Sequence, residues 1–234
     1  EFLSRLELRR TIQNPANGNR SDAEIMLDAG PGRNSNFPIW VGSNVLFVGT
    51  MNEDETTQSL SDKILDRANV LRFGKPDELK KFPSNTNYKQ GNEKEYFMSF
   101  KQWESWLKPP DATKWDKQIL EWINKINTAL EFVGRPFGIR IPKAIRSYVA
   151  NYPQVNQQDR YKLAFADQIE QKIIPKLRGI DMQGNMTNQC LTNISRVITE
   201  LEDKELKRAF DEAIGSSTNI GTFTGRGVTR SLDS

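Results

Sequence analysis

The chain has no histidine and a single cysteine. Without histidine it can assemble neither a Ser-His-Asp nor a Cys-His triad, and no zinc-protease helix. One thiol, Cys190, excludes an intrachain disulfide and any Cys-x-x-Cys redox or zinc motif. Its neighbours Gln189, Leu191 and Ile194 sit in a helical pattern, so it reads as a small core or boundary residue. Long apolar runs are missing as well: nothing approaches the roughly 18 residues of a membrane-spanning helix. The first residues do not carry the pattern of a secretion leader, and a cytoplasmic protein is the simplest expectation. No G-x-x-x-x-G-K-S/T sequence occurs, so the 234 residues hold no phosphate-cradling loop.

What is present is an ordinary globular composition, 36% hydrophobic and 27% charged. A net charge of +3 and a pI near 8.9 permit nucleic-acid contact without arguing for it. The chemistry left to the chain is that of carboxylates, Arg, Lys, Asn and hydroxyls. That set suits phosphoryl transfer, in which a protein mainly positions groups and stabilises charge.

Residues 44–73, NVLFVGTMNEDETTQSLSDKILDRANVLRF, carry the densest signal. An apolar run at 45–48 meets a polar tip at Gly49-Thr50-Met51-Asn52. A helix-like segment ends at Asp66-Arg67-Ala68-Asn69, and a second apolar burst covers 70–73. The order reads as buried strand, polar tip, helix, strand, and in open α/β sheets ligands sit beyond the C-terminal ends of strands. Upstream, residues 1–10 look like part of a helix, 14–19 like a turn-rich loop, and 23–27 and 39–41 like short strands.

Beyond Phe73 the texture becomes helical, after a polar stretch at 80–94 that reads as loop. Trp115, Ile119, Trp122, Ile123, Ile126 and Leu130 mark one face of an amphipathic helix. Further helices are expected at 142–152, at 161–177 with Phe165, Ile169, Ile173 and Leu177 four apart, and at 191–214. Residues 215–234, rich in Gly, Ser and Thr, read as a tail or loop, with room for a short strand at 221–224. The expected fold class is therefore α/β followed by all-α: a partial α/β layer over 1–73, a helical domain over 74–214, and a flexible tail over 215–234.

Three residues stand out chemically. Asn52, at the strand tip, can orient a water or bond a phosphate without adding charge; it equally suits a turn. Arg67, at a helix end, can reach across a subunit boundary to a transferred phosphoryl group; it can also pair with Asp62 or Asp66. Arg140 precedes a helix that Pro142 initiates well and can grip a phosphate with two parallel bonds, or simply be solvated. Ile25-Met26-Leu27-Asp28 has the apolar-then-acid look of a magnesium-site strand, but Ala29 follows it and it reads as a strand end. Tyr88, Trp103, Trp106, Trp115 and Trp122 near Lys101, Lys108 and Lys114 can form a base-stacking platform, although helical spacing favours core packing for Trp115 and Trp122.

Together these segments resemble an AAA+ NTPase of the McrB type, the motor subunit of McrBC-like restriction systems. The family order GTMN…ETT…LDRAN…F stands here as Gly49-Thr50-Met51-Asn52, Glu55-Thr56-Thr57 and Leu65-Asp66-Arg67-Ala68-Asn69. Phe2-Leu3-Ser4-Arg5-Leu6-Glu7 resembles the helix after the family's magnesium-site strand, and Phe165-Ala166-Asp167-Gln168-Ile169 with Ile174-Pro175-Lys176-Leu177-Arg178-Gly179 resembles its helical lid. The resemblance implies the C-terminal part of an AAA+ α/β core plus a lid. It makes Asn52 the sensor that polarises the attacking water, Arg67 an arginine finger acting on a neighbouring subunit's nucleotide, and Arg140 the lid arginine that contacts nucleotide. It also implies Mg2+ with ATP or GTP in the full-length protein, a homo-oligomeric ring, a McrC-like endonuclease partner, indirect action on DNA, and no membrane.

The chain departs from the family in lacking the phosphate loop and the acidic magnesium pair, which are expected upstream of Glu1. Alone it is expected to be inactive as an NTP hydrolase, with no metal site of its own. Two other readings stand beside the motor: a catalytically silent interaction or scaffold module, and an AAA+ remodelling motor unrelated to restriction.

Overall fold

A computed structural model describes residues 2–9, 12, 20–28, 30, 36–51, 60–71, 97–225 and 228. Contacts divide the chain into two compact units, Glu1–Ile64 and Leu65–Ser234.

The first unit opens with α1 (Phe2–Leu8) and a 3-10 turn at Ser21–Ala23. A hairpin follows, β1 (Ile25–Asp28) against β2 (Asn36–Ile39), antiparallel, with Ile25 opposite Ile39 and Asp28 opposite Asn36. Asp28 closes its strand by accepting the Gly30 N–H at 2.9 Å, a turn role that matches its reading as a strand end. Arg9, 7% exposed, organises the segment after β2. Its guanidinium donates to the carbonyls of Gly42 at 2.8 Å and Val45 at 2.9 Å. Phe2 meets Phe47 edge-on at 5.0 Å.

The run at 45–48, expected as a buried strand, is coil, and Val48 is 94% exposed. A buried strand needs flanking strands to take up its N–H and C=O groups. Among the described residues the only sheet is the two-stranded hairpin, and Arg9 holds the Val45 carbonyl instead. Val70 and Leu71, the start of the second expected strand, are also without strand structure.

Between the units' residues runs α2 (Asp62–Arg67), whose last three residues belong to the second unit. That unit is helical: α3 (Phe100–Trp106), α4 (Asp116–Glu131), α5 (Arg140–Ala150), α6 (Arg160–Gln168), a π-helical segment (Ile169–Ile173), α7 (Ile174–Leu177), α8 (Asn185–Glu200) and α9 (Lys204–Ile220). In α4, Ile119, Trp122, Ile123, Ile126 and Leu130 are buried, as the three- and four-residue steps require. Helix α4 packs on α5 and α8, α5 on α6, and α8 on α9. Tyr161 stacks between Trp115, at 4.1 Å, and Trp122, at 5.8 Å. Arg146 of α5 bonds both oxygens of Asp116 of α4. Helix α5 starts at Arg140, so Pro142 lies inside its first turn, where no N–H is missed.

The expected helix over 161–177 changes pitch midway. Ile174 N–H reaches the Ile169 carbonyl, five residues back, and Pro175 has no N–H to offer Gln171. Phe165, Ile169, Ile173 and Leu177 are all buried. Apolar residues strictly four apart drift around a 3.6-residue helix, and the wider π turn keeps them facing one core.

The helix expected over 191–214 is instead two. Glu202 adopts a left-handed φ of 61°, and Asp203 caps α9 by accepting the Leu206 N–H at 2.9 Å. The stretch from 215, expected as a tail, continues α9 to Ile220. Gly221 then turns with φ 85°, and Phe223, 1% exposed, enters the core while its N–H donates to the Ile180 carbonyl at 3.0 Å. Small hydroxylated residues suit this end of α9 because Ser217 is itself buried and accepts the Thr224 N–H at 2.8 Å.

Candidate functional site

The segment Leu65-Asp66-Arg67-Ala68 is the best-anchored of the motifs singled out above. Leu65 is 5% exposed and roots the end of α2 in the helical unit. The last carbonyls of any helix lack intrahelical partners. Here Lys172, on the π-helical segment, fills that role: its amine donates to the carbonyls of Ala68 and, at 3.5 Å, Leu65. One turn on, Lys176 of α7 pairs with Asp66, Nζ to Oδ1, at 2.8 Å. Asp66 Oδ1 is buried and takes no hydrogen bond of good angle, so this contact is an ion pair.

Arg67 sits between these two anchors and stays half-buried. Lys172 is 1% exposed and Lys176 5%. Burial pulls the Lys172 ammonium down to about 8; the Asp66 charge opposes the shift and the Lys176 charge adds to it. Both amines are spent inside the fold, Lys172 on the helix-end carbonyls and Lys176 on Asp66.

Asn52 and Glu55-Thr56-Thr57 lie outside the described residues. Arg140 is exposed at the first position of α5. The chain brings Arg67 to the π segment and α7, and it leaves Arg140 on a different element.

A second feature is an open cleft of about 420 Å³ lined by Tyr148, Asn151, Tyr152, Pro153, Arg160 and Asp167. It lies at the C-terminal end of α5, about 16 Å along the helix from Arg140. Tyr148 donates to Asp167 Oδ2 at 3.0 Å. Burial, and next the Asp167 charge, push its phenol well above the usual tyrosine range. Behind it Gln168 donates to Gln171 at 3.0 Å, and Gln168 Oε1 is buried without a hydrogen-bond partner. The Asn151 amide is already spent on Lys108 and Ser147.

The stacking platform divides. Trp122, 3% exposed, is core and donates Nε1 to Glu200 at 2.6 Å. Trp103 and Trp106 of α3 are 39% and 54% exposed, next to Phe97 at 90%. Among the described residues no group of three or more Cys, Asp or Glu side chains fits a metal ion, and no helix is long and apolar enough to cross a membrane.

Sequence reasoning missed Lys172 and Lys176 as a pair. Their signal was visible: two lysines four apart inside the apolar run Ile169–Leu177 must share a face with core residues.

A family model described as Domain of unknown function (DUF8727) matches residues 90–218, more than half of the chain. No curated protein and no solved structure matches it. The matched region holds Arg140, Lys172 and Lys176; Asn52 and Arg67 precede it.

Proposed function

The chain belongs to that domain family, and from this premise we propose that it is the C-terminal part of a ring-forming AAA+ NTPase of the McrB type. The observation that carries the proposal is the fixing of Arg67. Its two chain neighbours are tied to Lys176 and Lys172, and the arginine itself is half-buried at the helix end. A guanidinium on a rigid base at a helix end suits charge neutralisation on a transferring phosphoryl group in a neighbouring subunit. Asn52 would align the attacking water, and Arg140 would contact nucleotide from the helical unit. The phosphate loop and the magnesium carboxylates come from sequence other than these residues, so the chain alone does not hydrolyse NTP. The proposed setting is cytoplasmic, with a McrC-like endonuclease as partner and DNA as the indirect target.

The test is hydrolysis of ATP and GTP, assayed separately, by the full-length polypeptide. Arg67→Ala should lower the rate roughly 10³-fold or more and leave nucleotide binding within about twofold. Unchanged hydrolysis removes Arg67 from the mechanism.

One observation favours the second reading, a silent interaction module. Phe97, Phe100, Trp103, Trp106 and Leu107 expose a large apolar strip around α3, of the kind that marks contact surfaces. A full-length protein that hydrolyses neither nucleotide, with the endonuclease partner supplied, selects that reading.

A further inference from the structure

We infer that Lys172 and Lys176 are positioning residues for Arg67 and make it part of the helical unit. The inference rests on the reading of Arg67 as a phosphate-directed arginine and adds what holds it in place.

Burying an ammonium is costly unless it is paired and hydrogen-bonded. Lys172, 1% exposed, has its carbonyl partners among the described residues at the end of α2, with Asp66 close enough to act on its charge. A lysine placed there for packing alone would be better replaced by Met or Leu. What the amine does that a methyl group cannot is take up the carbonyls of Leu65 and Ala68, which the helix leaves without partners. Lys176 adds the second tie, through Asp66.

Residues 66 and 68 flank Arg67 directly, so its Cα is held from both sides. Arginine has about 2 kcal/mol of rotamer freedom to lose, and a fixed backbone removes the further freedom of a fraying helix end. The π segment carries Lys172, and α7, which follows it directly, carries Lys176 four residues on, so both reach one short stretch of α2. Such π turns inside helices frequently occur at functional sites.

Three variants of the full-length polypeptide, Arg67→Ala, Lys172→Met and Asp66→Asn, test this with two readouts. The first is amide hydrogen exchange. Lys172→Met should speed exchange at residues 65–71 roughly tenfold or more while leaving α8 protected; unchanged exchange at 65–71 overturns the clamp. The second is kinetic. Lys172→Met should lower kcat roughly ten- to a hundredfold with nucleotide Kd within about twofold, because a finger displaced by about 1 Å loses the transition state and not the ground state. Arg67→Ala dead with Lys172→Met fully active overturns positioning but keeps Arg67. Arg67→Ala fully active overturns the reading of Arg67, and positioning with it. If Lys172→Met does not fold, Asp66→Asn decides by the same two readouts, since it keeps the side chain's shape and removes the charge that pairs with Lys176 and acts on Lys172.

Discussion

Arg146 grips Asp116 with two parallel hydrogen bonds, Nε to Oδ1 at 2.7 Å and Nη2 to Oδ2 at 2.8 Å. The pair ties the first residue of α4 to the middle of α5, and both side chains are less than one-third exposed. Bidentate, partly desolvated pairs are stronger than ordinary surface ion pairs. Arg146→Ala should therefore destabilise the chain by about 1–3 kcal/mol. Arg146→Lys should recover little of it, because an ammonium cannot reproduce the fork. Urea midpoints of the two variants check this; equal stability of Arg146→Lys and the parent would show that only charge matters.

Tyr161 fills the slot between Trp115 and Trp122 almost parallel to both, at interplanar angles of 9° and 6°. It is 8% exposed, so truncation opens a cavity flanked by two indoles. Tyr161→Ala should cost about 3 kcal/mol or more and red-shift tryptophan emission as water reaches the rings. An unshifted spectrum would mean that the indoles close over the gap.

The legible parts of this fold are those where one local rule acts alone. The α4 face could be read because Ile119, Ile123, Ile126 and Leu130 follow helical spacing and nothing interrupts them. The end of α8 could not, because a single polar residue decides it. Asp203 caps the next helix, and the apolar spacing registers the break only as one step of five, from Leu201 to Leu206. Phe223 was hidden for a similar reason. A lone aromatic in a Gly, Ser and Thr context carries no period, and its burial depends on Gly221 turning the chain back toward Ile180. The strand expected at 45–48 shows the opposite failure: its local pattern is strong, but strands need neighbours, and sequence pattern says nothing of who supplies them.

The sequence places Arg67 at a helix end and Arg140 at a helix start, and both positions hold in the structure. The support of Arg67 was not legible. Lys172 and Lys176 reach the end of α2 across more than a hundred positions, a contact no single-sequence pattern encodes.

Cys190 is fully buried, and burial pushes its thiol up to about 11. Only thiolate reacts at useful rates. The folded chain should not react with a thiol reagent at pH 8, and should titrate one equivalent in denaturant. Cys190→Ser should cost about 1–3 kcal/mol, since it places a hydroxyl in an apolar site. Fast reaction of the native thiol would place Cys190 at the surface.

Lys172 gives the chain a distinctive pH dependence. Its ammonium titrates near 8 when folded, against an ordinary lysine value of 10.5. Between these values the unfolded chain binds more protons than the folded one, so this group's contribution to stability rises with pH. The slope is at most about 1.4 kcal/mol per pH unit. Below pH 8 both states are charged and the slope vanishes. Lys125 and Lys162 are shifted upward, by their pairing with Glu121 and Glu200 and with Glu202, so their effects fall above this window. The difference in unfolding free energy between the parent chain and Lys172→Met isolates the lysine, because everything else cancels. It should be flat from pH 6 to about 7.5 and then move in favour of the parent up to about pH 10. A flat difference throughout would mean that water reaches the Lys172 amine, and the clamp on the Arg67 helix end would then be a surface contact rather than a buried one.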